Sequence, residues 1–163
     1  MKTLLILRHA KSSWDDAALP DHDRPLTERG KKDAKRVGQM LQEQGLLPDV
    51  VISSTARRAL KTAKKVAKAC GFGGDIEIDG RLYDAPPSRF IEVLREVGEQ
   101  HATVLVVAHN PGSQELVQQL SGQAEPLPTA GWVELALELD AWQDLSVSCG
   151  ARVVRTWRPK EDA

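Results

Sequence analysis

Three stretches of the chain are apolar without interruption and then stop abruptly on polar side chains. Thr3-Leu4-Leu5-Ile6-Leu7 ends at Arg8-His9, Asp49-Val50-Val51-Ile52-Ser53 runs into Ser54-Thr55, and Thr103-Val104-Leu105-Val106-Val107-Ala108 ends at His109. Short continuous runs of this kind read as strands buried on both faces, the signature of a parallel sheet covered by helices. Between them the period changes to that of a helix. Thr27 is placed to cap a helix whose inward positions are Ala34, Val37, Gly38, Leu41 and Gly45, with Lys31, Lys32, Lys35 and Arg36 left for solvent. A second helix carries Ala56, Ala59, Leu60, Ala63, Val66, Ala67 and Cys70 on one stripe, and a third spans about 88–98 with Phe90, Ile91, Val93, Leu94 and Val97. Ile76 to Ile78 reads as a short strand after a glycine-rich turn.

Towards the C-terminus the pattern alternates. Val133, Leu135, Leu137 and Leu139 are separated by polar or small residues, and Arg152 to Trp157 is a second β-prone run, as in a half-exposed sheet margin. Together these elements predict an α/β protein: a three-layer α/β/α sandwich with a mostly parallel central sheet and one or two marginal strands from the C-terminal segment. The length suits one domain over residues 1–158, with 159–163 a frayed tail.

The chemistry gathers where the strands end. In open α/β sheets ligands meet the carboxyl ends of the strands, and here those ends supply Arg8 and His9, then Arg57 and Arg58 in the first turn of a helix, then His109. Asn110 is an N-cap candidate before Pro111 at the first helical position, so a helix N-terminus is expected at the same edge, a setting for an anion. Periodicity puts Arg57 and Arg58 both off the apolar stripe and does not choose between them. An arginine beside a histidine repels a metal ion, and the four histidines, His9, His22, His101 and His109, show no ligand spacing. No metal and no cofactor is expected. What guanidiniums and a helix N-terminus suit is a phosphate dianion.

Composition narrows the classes further. The 163 residues carry a formal net charge of −1, which argues against nucleic acid or an anionic membrane as the main partner. Cys70 and Cys149 are the only cysteines and have no CxxC spacing, which fits a reducing cytoplasm. The N-terminal run is too short for a secretion signal, and no stretch reaches the ~20 apolar residues of a membrane span. A GxxxxGK or GxGxxG nucleotide loop is absent. Residues 11–25 form the longest early loop, and Gly30, in the first turn of the first helix, reads equally as a point of close backbone approach or as a glycine tolerated near a helix end.

Leu7-Arg8-His9, Ser54-x-x-x-Arg58-Ala59-x-x-Thr62-Ala63 and Ala108-His109-Asn110-Pro111-Gly112 resemble, in order and spacing, the motif set of the histidine phosphatase superfamily, whose fold is phosphoglycerate mutase-like. Arg8-His9-Ala10-Lys11-Ser12 and Asp21-x-x-Arg24-Pro25-Leu26-Thr27-x-x-Gly30 are similar to the small SixA-type phosphohistidine phosphatases. The resemblance implies that His9 is the nucleophile, that Arg8, Arg58 and a protonated His109 neutralise the phosphoryl oxygens, and that Arg58 rather than Arg57 is the ligand. It also implies substrate contacts from Arg24, Ser12 and Asn110, although Arg24 is equally placed to pair with Asp21 or Asp23. Larger members carry a glutamate acid that this chain lacks. Asp21, three residues before Arg24, is the first candidate for the general acid and Asp84 the second.

The expected activity is hydrolysis of phosphohistidine in a phosphorylated protein, with inorganic phosphate as product. A small-molecule phosphomonoesterase or mutase is the alternative, and a non-catalytic phosphate-binding module is disfavoured because binding alone needs no nucleophilic imidazole. Short connections leave little sequence for a lid, so the pocket is expected to be shallow and open.

Overall fold

The computed structural model describes residues 1–160. Its six strands, β1 (Lys2–Arg8), β2 (Val50–Ser53), β3 (Glu77–Ile78), β4 (Thr103–Ala108), β5 (Trp132–Leu137) and β6 (Ala151–Trp157), form one sheet in the order β3-β2-β4-β1-β5-β6. The four on the β3 side are parallel; β5 and β6 are antiparallel. Helices α1 (Glu28–Glu43) and α2 (Arg57–Cys70) pack on one face, where Leu5 and Leu7 meet Val37, Leu41, Ala63 and Val66. On the other face Leu4 and Ile6 meet Phe90 and Leu94 of α3 (Pro87–Leu94) and Leu116 of α4 (Gly112–Ser121). This is the α/β/α sandwich the periodicity predicts.

Because successive β1 side chains feed opposite cores, the whole run Leu4–Leu7 is buried. Each such side chain contributes roughly 1.5–3 kcal/mol on transfer from water, and truncating one to alanine costs about 2–5 kcal/mol once the cavity is included. That packing holds the strand ends in place.

Several local expectations are corrected. The alternating strand is not a half-exposed margin: β5 lies between β1 and β6, and Trp132, Val133, Glu134 and Leu135 are all buried. Glu134 is accommodated by an ion pair with Arg155 Nε at 2.7 Å. The margin is β6 instead. Gly45 is not on the α1 stripe; it follows the end of the helix with φ +69°. α3 stops at Leu94, short of Gly98. Asn110 is not an N-cap, because α4 begins at Gly112 behind Pro111 and the 110–111 peptide is cis. Thr27 does cap α1, its hydroxyl accepting from the Gly30 N–H at 2.9 Å. Gly30 is required by close approach: a Cβ there would sit 2.2 Å from the Lys11 carbonyl oxygen.

Of the segment expected to fray, Pro159 and Lys160 lie beside α1, where Arg29 donates to the Lys160 carbonyl. Residues 161–163 lie outside the described residues. Among the described residues no helix is long and apolar enough to cross a membrane.

Candidate active site

The carboxyl ends of β1, β2 and β4 lie at one edge and are stitched together by backbone hydrogen bonds. His9 N–H donates to Ala108 O at 3.0 Å, and Ser54 N–H to Val107 O at 3.1 Å. The two imidazoles that follow β1 and β4 come to rest 5.2 Å apart, centroid to centroid. Around them is a cleft of about 310 Å³ walled by Arg8, Lys11, Ser12, Trp14, Arg24, Arg58, Asn110 and Thr129. His9 is 6% and His109 7% exposed, so both rings lie at the floor of the cleft.

His9 is oriented by its own backbone. Nδ1 lies 2.7 Å from Ala10 O. A carbonyl only accepts, so neutral His9 carries its proton on Nδ1 and leaves Nε2 with a bare lone pair. Ala10 is fixed in turn by Thr62, whose hydroxyl accepts from Ala10 N–H at 3.0 Å and donates to Arg58 O at 2.7 Å. One side chain of α2 thereby locks the end of β1. Burial pushes the His9 pKa down to about 3, with the nearby charges of His109, Arg58 and Arg8 acting in the same direction and the Ala10 bond opposing. The ring is neutral at pH 7, as a nucleophile must be.

His109 Nε2 is 2.8 Å from Ser54 Oγ, which also accepts from Ala56 N–H at 3.1 Å. Its Nδ1 is buried and has no partner among the described residues. Burial, reinforced by Arg58 and opposed by Asp21, lowers its pKa to about 4. The protonated His109 implied by the resemblance is therefore not the form the protein holds alone. A phosphate dianion at the cleft floor would supply the missing counter-charge and raise that pKa.

The arginines separate as the family spacing requires. Arg58 is 6% exposed and lines the cleft, whereas Arg57 is exposed and its guanidinium donates to Asp23 O at 3.4 Å. Arg8 Nη1 donates to Leu127 O at 3.3 Å, and the Nε atoms of Arg8 and Arg58 are buried without partners among the described residues. Burial, then the charge of Arg58, lowers the Arg8 pKa. Two guanidiniums held this close, with donors to spare, call for an anion. Each close contact to a dianion is worth roughly 4 kcal/mol at an effective dielectric near 20, before desolvation is subtracted.

Asp21, the first candidate for the general acid, is engaged by three donors. Its Oδ2 accepts from the Tyr83 hydroxyl at 2.6 Å and Arg58 Nη2 at 3.0 Å, and its Oδ1 from Arg24 Nε at 3.1 Å. The Tyr83 bond, then the arginines, hold its pKa down to about 2 against partial burial. The carboxylate is thereby held ionised, and it orients Arg58 and Arg24. Asp84 is exposed and is not part of the cleft lining. Arg24 both pairs with Asp21 and lines the cleft, and its Nη1 donates to Ser12 Oγ at 2.7 Å. Asn110 lines the cleft with its amide donating to Leu127 O at 2.7 Å. The α4 N-terminus offers less than expected: proline has no N–H, and that of Ser113 goes to the His109 carbonyl at 2.9 Å.

Sequence reasoning left out Ser54, Thr62, Tyr83, Trp14, Lys11 and Thr129 as site residues. Ser54, Thr62 and Lys11 stood in the motifs; Trp14, Tyr83 and Thr129 sit in loops, where no periodicity marks them.

Residues 4–86 match the family model of the histidine phosphatase superfamily, branch 1. The chain belongs to that superfamily. It is of the SixA type: its structure superposes on that of a protein described as a putative phosphohistidine phosphatase SixA, from Nakamurella multipartitia, with a TM-score of 0.82 and 28% identity, covering 97% of this chain and 96% of that one. An uncharacterized protein of Mycobacterium tuberculosis is 34% identical over 158 residues, 90% of this chain and 96% of that one. A 2,3-bisphosphoglycerate-dependent phosphoglycerate mutase of Bifidobacterium longum is 45% identical over 62 residues, but these are 37% of this chain and 25% of the mutase. The phosphoglycerate mutase-like fold and a phosphatase hydrolase activity follow for this histidine phosphatase.

Proposed function

We propose that the protein hydrolyses phosphohistidine in a phosphorylated protein, without a metal, through a covalent phosphohistidine on His9, and that one domain over residues 1–158 carries the activity. The observation behind this reading is the fixed tautomer of His9, with Nε2 bare beside Arg8, Arg58 and His109. Nε2 attacks phosphorus, the bond to the leaving nitrogen breaks, and its electron pair returns to a substrate ring that is protonated on its other nitrogen and so departs as neutral imidazole. Arg8 and Arg58 compensate the charge of the transferring group, and His109, protonated as the dianion raises its pKa, adds a further positive charge beside it. Water then attacks the phosphorus on His9 and loses a proton to solvent while the P–Nε2 bond breaks, returning its electron pair to His9 and releasing phosphate.

Ionised Asp21 favours a phosphoramidate over an alkyl ester. An alkoxide needs a proton donor as it leaves, whereas imidazole titrates near neutral pH and leaves without a strong acid. Likeness to SixA supports the same substrate class. The unpaired Cys70 and Cys149 fit action in a reducing cytoplasm.

The test is kcat/KM for a phosphohistidine peptide and for ethyl and sugar phosphates, measured side by side at pH 7. We expect the peptide to lead by at least about tenfold, or roughly 1.4 kcal/mol. Alkaline quenching should trap the phosphoryl group on His9, and His9→Ala should be inactive. The second reading, a small-molecule phosphomonoesterase or mutase, is favoured by the local match to the Bifidobacterium longum mutase. A clear lead for a sugar phosphate would promote it.

A further inference from the structure

Trp14 differs from the tryptophans of the interior. Trp132 and Trp142 are fully enclosed, whereas Trp14 is 74% exposed in the connection between β1 and α1, where neither core requires it. Its position is nonetheless defined. The Arg24 guanidinium lies 3.5 Å from the indole centroid, and that guanidinium is itself fixed by Ser12 Oγ at 2.7 Å and Asp21 Oδ1 at 3.1 Å. The indole is thus backed by a buried cation and stands as a flat wall of the cleft whose floor is His9 and His109. Its uncovered area is a large apolar, electron-rich surface at the mouth of an anion site. A ring stacked there would be removed from water without disturbing the groups that grip the phosphoryl oxygens.

We propose that Trp14 is a stacking platform for a planar ring in the leaving group, so that the cleft selects phosphoryl groups carried on a flat ring, the imidazole of phosphohistidine among them, over those on flexible alkyl chains. The proposal rests on the phosphatase reading above and deepens it. Lys11, on the same wall, is exposed and leaves the mouth open to a ring that belongs to a larger molecule.

The test uses full-length wild type, Trp14→Ala and Trp14→Phe with two matched pairs of probes. In the first, a phosphohistidine peptide is compared with phosphoramidate, which has the same P–N bond and no ring. In the second, binding of phenylphosphonate is compared with that of methylphosphonate, so that no turnover is needed. Trp14→Ala is expected to weaken the ring-bearing member of each pair by about tenfold and the ringless member by less than about twofold, with Trp14→Phe within roughly threefold of wild type. An equal loss on both members would mean that Trp14 only steadies Arg24, and would overturn the platform, as would no loss at all. Wild type that leaves the phosphohistidine peptide intact would overturn the assigned substrate, while the phosphonate pair would still decide the platform.

Discussion

Replacing Asp21 with asparagine separates two roles that a carboxylate at this position could have. The side chain is half exposed, at 50%, so its pairs with Arg58 at 3.0 Å and Arg24 at 3.1 Å belong to the solvent-screened class worth about 0.2–1 kcal/mol each. The 2.6 Å bond from the Tyr83 hydroxyl adds a contribution of similar size, on the order of 1 kcal/mol. Asparagine keeps the shape and one acceptor. The loss of positioning should therefore be about 1–2 kcal/mol, a fall of roughly 5- to 30-fold in kcat/KM. A general acid would behave differently, because its removal typically costs ~10²–10⁴-fold and does so only where the leaving group needs a proton. The assay is kcat/KM for Asp21→Asn on ethyl phosphate and on acetyl phosphate, whose leaving group needs none, from pH 5 to 8. We expect the same modest factor on both substrates and an unchanged shape of the pH profile, since a group held near pKa 2 does not titrate in that range. A loss of a hundredfold or more on ethyl phosphate alone, with removal of the alkaline limb, would refute the reasoning and restore Asp21 as the acid.

Removing Arg58 should cost several kcal/mol of transition-state stabilisation, on the order of 10²–10³-fold in kcat, while Arg57→Ala should stay within about threefold of wild type. Steady-state kinetics of the two variants check this, and the reverse ranking would mean that the wrong arginine has been assigned. The stability of the protein should fall with pH below about 6.5. His9 and His109 have native pKa values of about 3 and 4, below the ordinary 6.5, so between those limits the unfolded chain binds protons that the native state does not. Their contribution is fully present above pH 6.5 and is lost as pH drops towards 3, with about 4 kcal/mol gone by pH 5. Thermal melts in a non-phosphate buffer should show Tm falling from pH 7 to pH 5, less steeply in His9→Asn, and a flat or rising Tm would contradict the assigned burial.

The sequence by itself determined the layers, the sheet and half of the site. Leu4–Leu7 and Val104–Ala108 are apolar at every position because both faces of a central parallel strand are covered, and the polar residues that end them had to lie at the ligand-binding edge. His9, Arg8 and His109 were legible for that reason. The alternation in β5 misled because period two reports which side chains share a face, not whether the second face is covered; β6 and the Glu134–Arg155 pair decided that.

Periodicity could not choose Arg58 over Arg57, since both leave the apolar stripe; the motif spacing chose it, and the tertiary structure gives the reason, because Arg58 is the one that Asp21 meets across 37 residues of chain. The protonation states were decided by tertiary structure alone. Asp21 reads as a loop carboxylate free to act as an acid until Tyr83 and two arginines, brought to it by separate elements, hold it ionised. His109 reads as a cation beside a phosphate until burial and Arg58 make it neutral. A pKa is set by desolvation and by charges within a few ångströms, and neither is a property of neighbours along the chain.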